Sequence, residues 1–171
     1  FSVVAGYALL GACWLNMRVD SAVAEKAKAL AQRAVFLVVG AMAVVSLWTP
    51  IVADRIADRW FSFPNIAYMA PVPLLAALFA WLAWSSLRKG KQAVPFLASI
   101  GLFLTGFVGL VISNTPYLVP PSVTIWQAAA APASQWIMLI GTVILLPVIL
   151  GYTVFVYWTF RGKVRPGEGY H

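Results

Sequence analysis

The sequence predicts an all-α protein, a polytopic transmembrane helical bundle with about five spans in a single domain. Its 171 residues are 62% hydrophobic and only 10% charged, where soluble domains carry roughly 25% charged residues. The apolar residues gather into runs near the ~20 residues that a helix needs to cross a bilayer at ~1.5 Å per residue. Eight of the residues are Trp, which favours the membrane–water interface.

The first run covers about 1–17 and is slightly short for a crossing. Its small residues Ala5, Gly6, Ala8, Gly11 and Ala12 permit close helix approach. Cys13 is the only cysteine, so no internal disulfide is possible; within an apolar run it reads as a small packing residue. The connection Arg18 to Arg33 is polar, and its Ala-, Lys- and Glu-rich middle is expected to extend a helix into water. The second run, about 34–53, carries no charge and ends near Trp48 and Pro50, where the missing N–H of proline kinks or stops a helix. Asp54 to Trp60 is a short amphipathic piece in which Arg55 and Asp58 stand three apart, close enough to pair on one helix face.

The third run, about 64–87, opens on Pro64, which suits a first helical turn. Pro71 and Pro73 inside it predict a bend in its first half. The fourth, about 93–112, offers Gly101, Gly106 and Gly109 to neighbouring helices. The fifth, about 134–160, has Pro147 in its middle, which leaves the Val143 carbonyl without its helical donor; Thr142 or Thr153 is the expected substitute.

The charge balance orients these spans. Twelve Lys and Arg stand against five Asp and Glu, a net charge of +7. In a membrane protein this excess records topology and contact with anionic lipid, and we expect no nucleic-acid partner. With five spans, Arg18, Lys26, Lys28, Arg33, Arg88, Lys89, Lys91, Arg161, Lys163 and Arg165 fall on one side, and only Arg55 and Arg59 on the other. The positive-inside rule puts the ten-cation side, with the C-terminus, in the cytoplasm. Phe1 already lies in an apolar run with no charged stretch or cleavage site before it, so we expect a piece of a longer chain rather than a signal peptide.

Several chemistries lack their residues. No Asp, Glu, Lys, Arg or His lies within a predicted span, although proton relays and ion sites usually need one there. The one histidine, His171, is the last residue, so neither a two-histidine metal site nor a haem held by two histidines can be built. Met17, Met42, Met69 and Met138 are chemically able to ligate haem but read as packing or lipid-facing residues. We expect no catalytic and no metal-binding residue in this chain. Asp54, Arg55, Asp58 and Arg59 read as a solvated interfacial turn, with a lipid or quinone headgroup as the sharper alternative.

The stretch Asn114 to Gln135 is uncharged, with four prolines and the aromatics Tyr117 and Trp126. It reads as a connector folded back at the outer membrane surface that caps helix ends or faces a cavity. A quinone or lipid contact at Trp126 and Gln127 is the functional alternative.

Pro116 to Ala130, then Leu146 to Thr153, Tyr157 to Val164 and the ending Gly169-Tyr170-His171 resemble the C-terminal end of subunit II of cytochrome bd-type quinol oxidases, closest to the branch called cyanide-insensitive. Gly6 to Leu15 and the Ala-rich connection to Arg33 fit that family's mid-chain span and cytoplasmic loop more loosely. The resemblance implies the C-terminal half of a subunit of about nine spans in the bacterial plasma (inner) membrane. It implies a partner, subunit I, that holds haems b and d and the quinol-oxidation site. It further implies a complex that oxidises quinol from the membrane pool, reduces oxygen to water and builds a proton gradient by uptake and release on opposite sides. The remaining partners would be the N-terminal half of the same subunit and membrane lipids, with quinone a possible ligand. From a different class, the proline-broken spans also suit half of a secondary transporter or channel. A cofactor-free assembly protein is a third reading.

Overall fold

The structure is a computed structural model and describes residues 2–162. Lys163, Arg165 and the Gly169–His171 ending, which entered the charge count and the resemblance, lie outside the described residues, as does Phe1. The chain runs α1 (Ser2–Arg18), α2 (Ala22–Val52), α3 (Asp54–Phe61), α4 (Asn65–Met69), α5 (Pro71–Arg88), α6 (Ala93–Asn114), β1 (Tyr117–Val119), β2 (Val123–Thr124) and α7 (Pro132–Thr159). It is an all-α membrane protein. Ala22–Val52, Asn65–Arg88, Ala93–Asn114 and Pro132–Thr159 are each long and apolar enough to cross a membrane. The 17-residue α1 is a shorter apolar helix, which makes about five spans. The described residues form two compact units, 2–113 and 114–162.

The first unit is built on stripes of small residues. α1 buries Ala5, Leu9, Ala12, Cys13 and Asn16; α2 buries Ala27, Ala31, Ala34, Val35 and Val38. α5 adds Ala80, Ala83 and Leu87, and α6 adds Ala98, Ser99 and Leu102. These positions recur every three or four residues, the spacing that keeps side chains on one helix face. Most of the large apolar side chains point outward instead, as a lipid-solvated bundle requires. Glycines admit the closest approaches: the Gly6 backbone lies against the Phe103 ring, and a Cβ at Gly101 would stand 2.6 Å from Phe79 Cε1. Gly106 and Gly109 face Met42 and Val72.

The helix ends follow their local chemistry. Ser21 caps α2 by accepting from the Val23 N–H at 3.2 Å, one of the orphan donors of a first turn. The 31 residues of α2 span ~46 Å at ~1.5 Å per residue, well beyond a ~30 Å hydrocarbon core. The charged turns from Glu25 to Arg33 therefore project past the apolar run. Pro50 sits in the last turn, and the helix stops when Ala53 turns extended. The third apolar run breaks at Ala70, between α4 and α5. Pro71 and Pro73 have no N–H to give to the carbonyls of Ala67 and Met69.

α5 closes with a Schellman motif. Gly90, at φ 68°, occupies the left-handed region that disfavours other residues. Its N–H bonds the Leu87 carbonyl at 3.2 Å, and the Lys91 N–H bonds the Ser86 carbonyl at 2.9 Å. Asn16 Nδ2 then donates to the Lys91 carbonyl at 3.3 Å, which joins the end of α1 to the α5–α6 turn. Three cationic helix ends carry a stacked pair: Arg18 over Trp14 at 4.7 Å, Arg88 over Trp84 at 5.0 Å and Arg161 over Trp158 at 4.9 Å.

In the second unit, β1 and β2 pair antiparallel, Tyr117 opposite Thr124 and Val119 opposite Val123, with a register irregularity between. α7 buries none of its residues and continues through Pro147. The expectation for its threonines fails. Thr142 donates to the Met138 carbonyl and Thr153 to the Ile149 carbonyl, each at 2.8 Å. Each hydroxyl reaches back four residues along its own turn, so neither serves the carbonyl of Val143.

Candidate functional site

Two places named in the sequence have defined geometry. The first is the segment after α6, which forms a small hairpin. Val119 and Val123 flank the corner, and the Ser122 N–H bonds the Val119 carbonyl at 3.0 Å. The Ile125 N–H returns to the Pro116 carbonyl at 2.9 Å. Gln127 clasps this turn. Its Oε1 accepts from the Thr124 N–H at 2.9 Å and from the Thr124 hydroxyl at 3.0 Å, while its own N–H donates to that hydroxyl at 3.3 Å. The carboxamide oxygen is therefore used within the hairpin.

Trp126, the other candidate contact residue, is 70% exposed. The hairpin presents the indole and holds the amide, so the two neighbours have different roles. The sequence carried a signal for this in the Thr-x-x-Gln spacing within a turn-rich stretch. Gln135 Nε2 likewise bonds the Ala130 carbonyl at 2.7 Å, at the start of α7.

The second place is α3. Arg59 Nη1 donates to the Ile112 carbonyl at 2.9 Å, and Trp60 Nε1 donates to the Ser113 hydroxyl at 2.9 Å. Both acceptors lie in the last turn of α6, where carbonyls lack helical donors and the helix dipole favours a cation. Arg59 is thus a helix cap and is not a free headgroup ligand. The 53-residue separation hid this pairing from any local reading. At the other end of the unit, Cys13 Sγ and Ser99 Oγ share a hydrogen bond at 3.5 Å, and Ser99 Oγ donates to the Pro95 carbonyl at 2.8 Å. This buried polar contact joins α1 to α6.

The sequence matches the family model for cytochrome bd terminal oxidase subunit II over residues 1–160. The chain belongs to that family. It is 24% identical to cytochrome bd-I ubiquinol oxidase subunit 2 of Escherichia coli strain K12, over 90% of this chain and 48% of that protein. The same figures hold for the protein of that name from E. coli O157:H7. The chain spans about half the length of these curated relatives.

Cytochromes carry haem. Haem iron takes His, Met, Cys or Tyr ligands. His171, the one histidine, lies outside the described residues. Cys13 is buried against Ser99, and the Met42 methyl stands 3.2 Å from where a Cβ of Gly106 would be. Both sulfurs are engaged in helix packing, Cys13 fully buried and Met42 partly buried against the core. Among the described residues no three His, Cys, Asp or Glu side chains form a metal-sized group. Cys13 and Met42 are thus packing residues.

Proposed function

We propose that this chain is the C-terminal half of a non-haem subunit in a bd-type quinol:oxygen oxidoreductase, forming one transmembrane domain beside a haem-bearing partner. The observation that carries the proposal is the family match over residues 1–160. In this reading the complex oxidises quinol, reduces oxygen to water and contributes to the proton gradient. Haems b and d sit in subunit I, because the donor set here suits helix packing and not iron. This chain supplies apolar surface and helix ends for assembly with subunit I, with the N-terminal half of its own subunit and with lipid. It contributes no catalytic side chain.

The ten-to-two distribution of cations supports a cytoplasmic C-terminus in a bacterial inner membrane. The tie from Asn16 to the Lys91 carbonyl is consistent with that orientation, since it brings two cationic connections to one end of the first unit. Of the two candidate contact residues, Trp126 remains open to a quinone ring or lipid, while Gln127 supports the hairpin that displays it.

Purification of the tagged full-length subunit from its native membrane tests the proposal. The expected result is a coloured complex with a second, haem-bearing membrane subunit and quinol-driven oxygen uptake. A colourless protein, purified alone and mediating solute flux, would overturn it in favour of a transporter half. Membrane-impermeant thiol labelling tests orientation: Ser122→Cys should react from outside the cell and Lys91→Cys only after the membrane is opened.

A further inference from the structure

We propose that the groove between α2 and α5, at the cationic end of the first unit, binds one anionic phospholipid. Its phosphate lies between Lys28 and Arg88, and one acyl chain runs over Phe36 and Trp84. An open surface depression of about 330 Å³ is lined by Glu25, Lys28, Ala29, Gln32 and Arg88. A second, of about 230 Å³, shares Glu25 and Lys28 with it and reaches Asn16 and Gln92. At ~30 Å³ per water, either is roomy enough for a glycerophosphate headgroup. Lys28 is half-buried at the junction of the two. Among the described residues its ammonium has no hydrogen-bond or ion-pair partner.

The order of chemistry along the groove identifies the occupant. Phe36 follows Gln32 by one helical turn and Trp84 precedes Arg88 by one turn, so both rings lie directly on the membrane side of the polar cavity. Their centroids are 6.2 Å apart in an edge-on pair, and Phe36 is 62% exposed. Arg88 is held over Trp84, which directs its guanidinium to the cavity rim. Two cations above an exposed Phe36 and a half-buried Trp84 match a phosphate above an acyl chain; a soluble anion has no use for the lower half. Glu25 is the acidic group lining the larger space, and Asp20 lines the second. At the larger one, where the phosphate sits, Lys28 and Arg88 outweigh Glu25, which can accept from headgroup hydroxyls and so favours a glycerol headgroup.

The test uses the full-length protein in its native complex, delipidated in detergent and titrated with dioleoylphosphatidylglycerol under native mass spectrometry. Wild type should bind one phosphatidylglycerol in preference to phosphatidylcholine. With each cation contributing a near-surface interaction of ordinary strength, Arg88→Gln should weaken that binding about fivefold and Lys28→Gln/Arg88→Gln about thirtyfold. Phe36→Ala should weaken it a few fold, and Lys26→Gln, on the opposite face of α2, should leave it unchanged. Equal affinity for phosphatidylcholine, or unaltered binding by Arg88→Gln, would overturn the proposal. So would full competition by millimolar inorganic phosphate, which would make the site one for free anions.

Discussion

Residues 2–113 and 114–162 are both rich in long apolar helix, yet they use it differently. Four helices of the first unit bury one stripe each against their neighbours, whereas α7 in the second buries nothing. Hydropathy does not separate them, since α2, α6 and α7 all qualify as spans. The difference lies in the placement of small residues. α6 sets Ala98, Ser99, Gly101, Gly106 and Gly109 where partners reach them. α7 has Gly141 and Gly151 with nothing within 4 Å. Apolar length puts a helix in the bilayer, but recessed backbone lets it pack there, because lipid tails solvate Leu and Ile as well as protein does.

The strongest way to break this contrast is to fill a recess. Gly101→Leu would drive a side chain into Phe79 and should cost about 1–3 kcal/mol, the usual penalty of overpacking. It should lower the thermal midpoint of the purified complex, while Gly151→Leu should stay within ~0.5 kcal/mol of wild type; equal losses at the two sites would erase the distinction. Next in size is Gly90→Ala, which forces an L-residue into the left-handed region at a cost of about 1–2 kcal/mol. Faster amide exchange at Lys91 than at the α7 start would localise that damage to the first unit.

Arg59→Gln removes a charged cap from α6 and should cost about 1 kcal/mol, with Arg59→Lys recovering part of it. The readout is exchange protection in the last turn of α6. In the second unit, Gln127→Ala should cost ~1 kcal/mol locally and expose the Thr124 amide to exchange, while Gln127→Glu keeps the acceptor and most of the protection. The smallest effect belongs to Trp126→Ala, expected within ~0.5 kcal/mol for so exposed a ring. Oxygen uptake per haem should hold in both the Gln127 and Trp126 variants; lost uptake at normal haem content would make the hairpin a functional contact.

Much of the fold was readable in the sequence because membrane insertion is a one-dimensional property. The apolar runs and the paired prolines at 71 and 73 can be read without knowing what touches what. Lys89-Gly90 likewise marks a helix end from local chemistry alone. The rest depends on distant partners. Nothing near Arg59 indicates the Ile112 carbonyl, and nothing near Phe79 indicates the Gly101 recess. Thr142 and Thr153 misled because a helical hydroxyl satisfies its own preceding turn more easily than a gap opened by a proline elsewhere. Gln127 drew a ligand reading because an uncharged amide beside a tryptophan resembles a recognition pair, whereas Thr124, three residues back, already engages its carboxamide oxygen.

The tryptophan–arginine stacks have a mechanical consequence. An arginine laid on its own helix's indole, an attraction of about 0.5–1 kcal/mol at an exposed site, has less freedom to stretch towards water than an unattached one. Sliding such a helix along the bilayer normal would therefore carry guanidinium and ring together, one out of the polar layer and the other out of the layer it favours. Each stack works as a depth gauge, and three of them at the ends of α1, α5 and α7 would set how far these helices can bob.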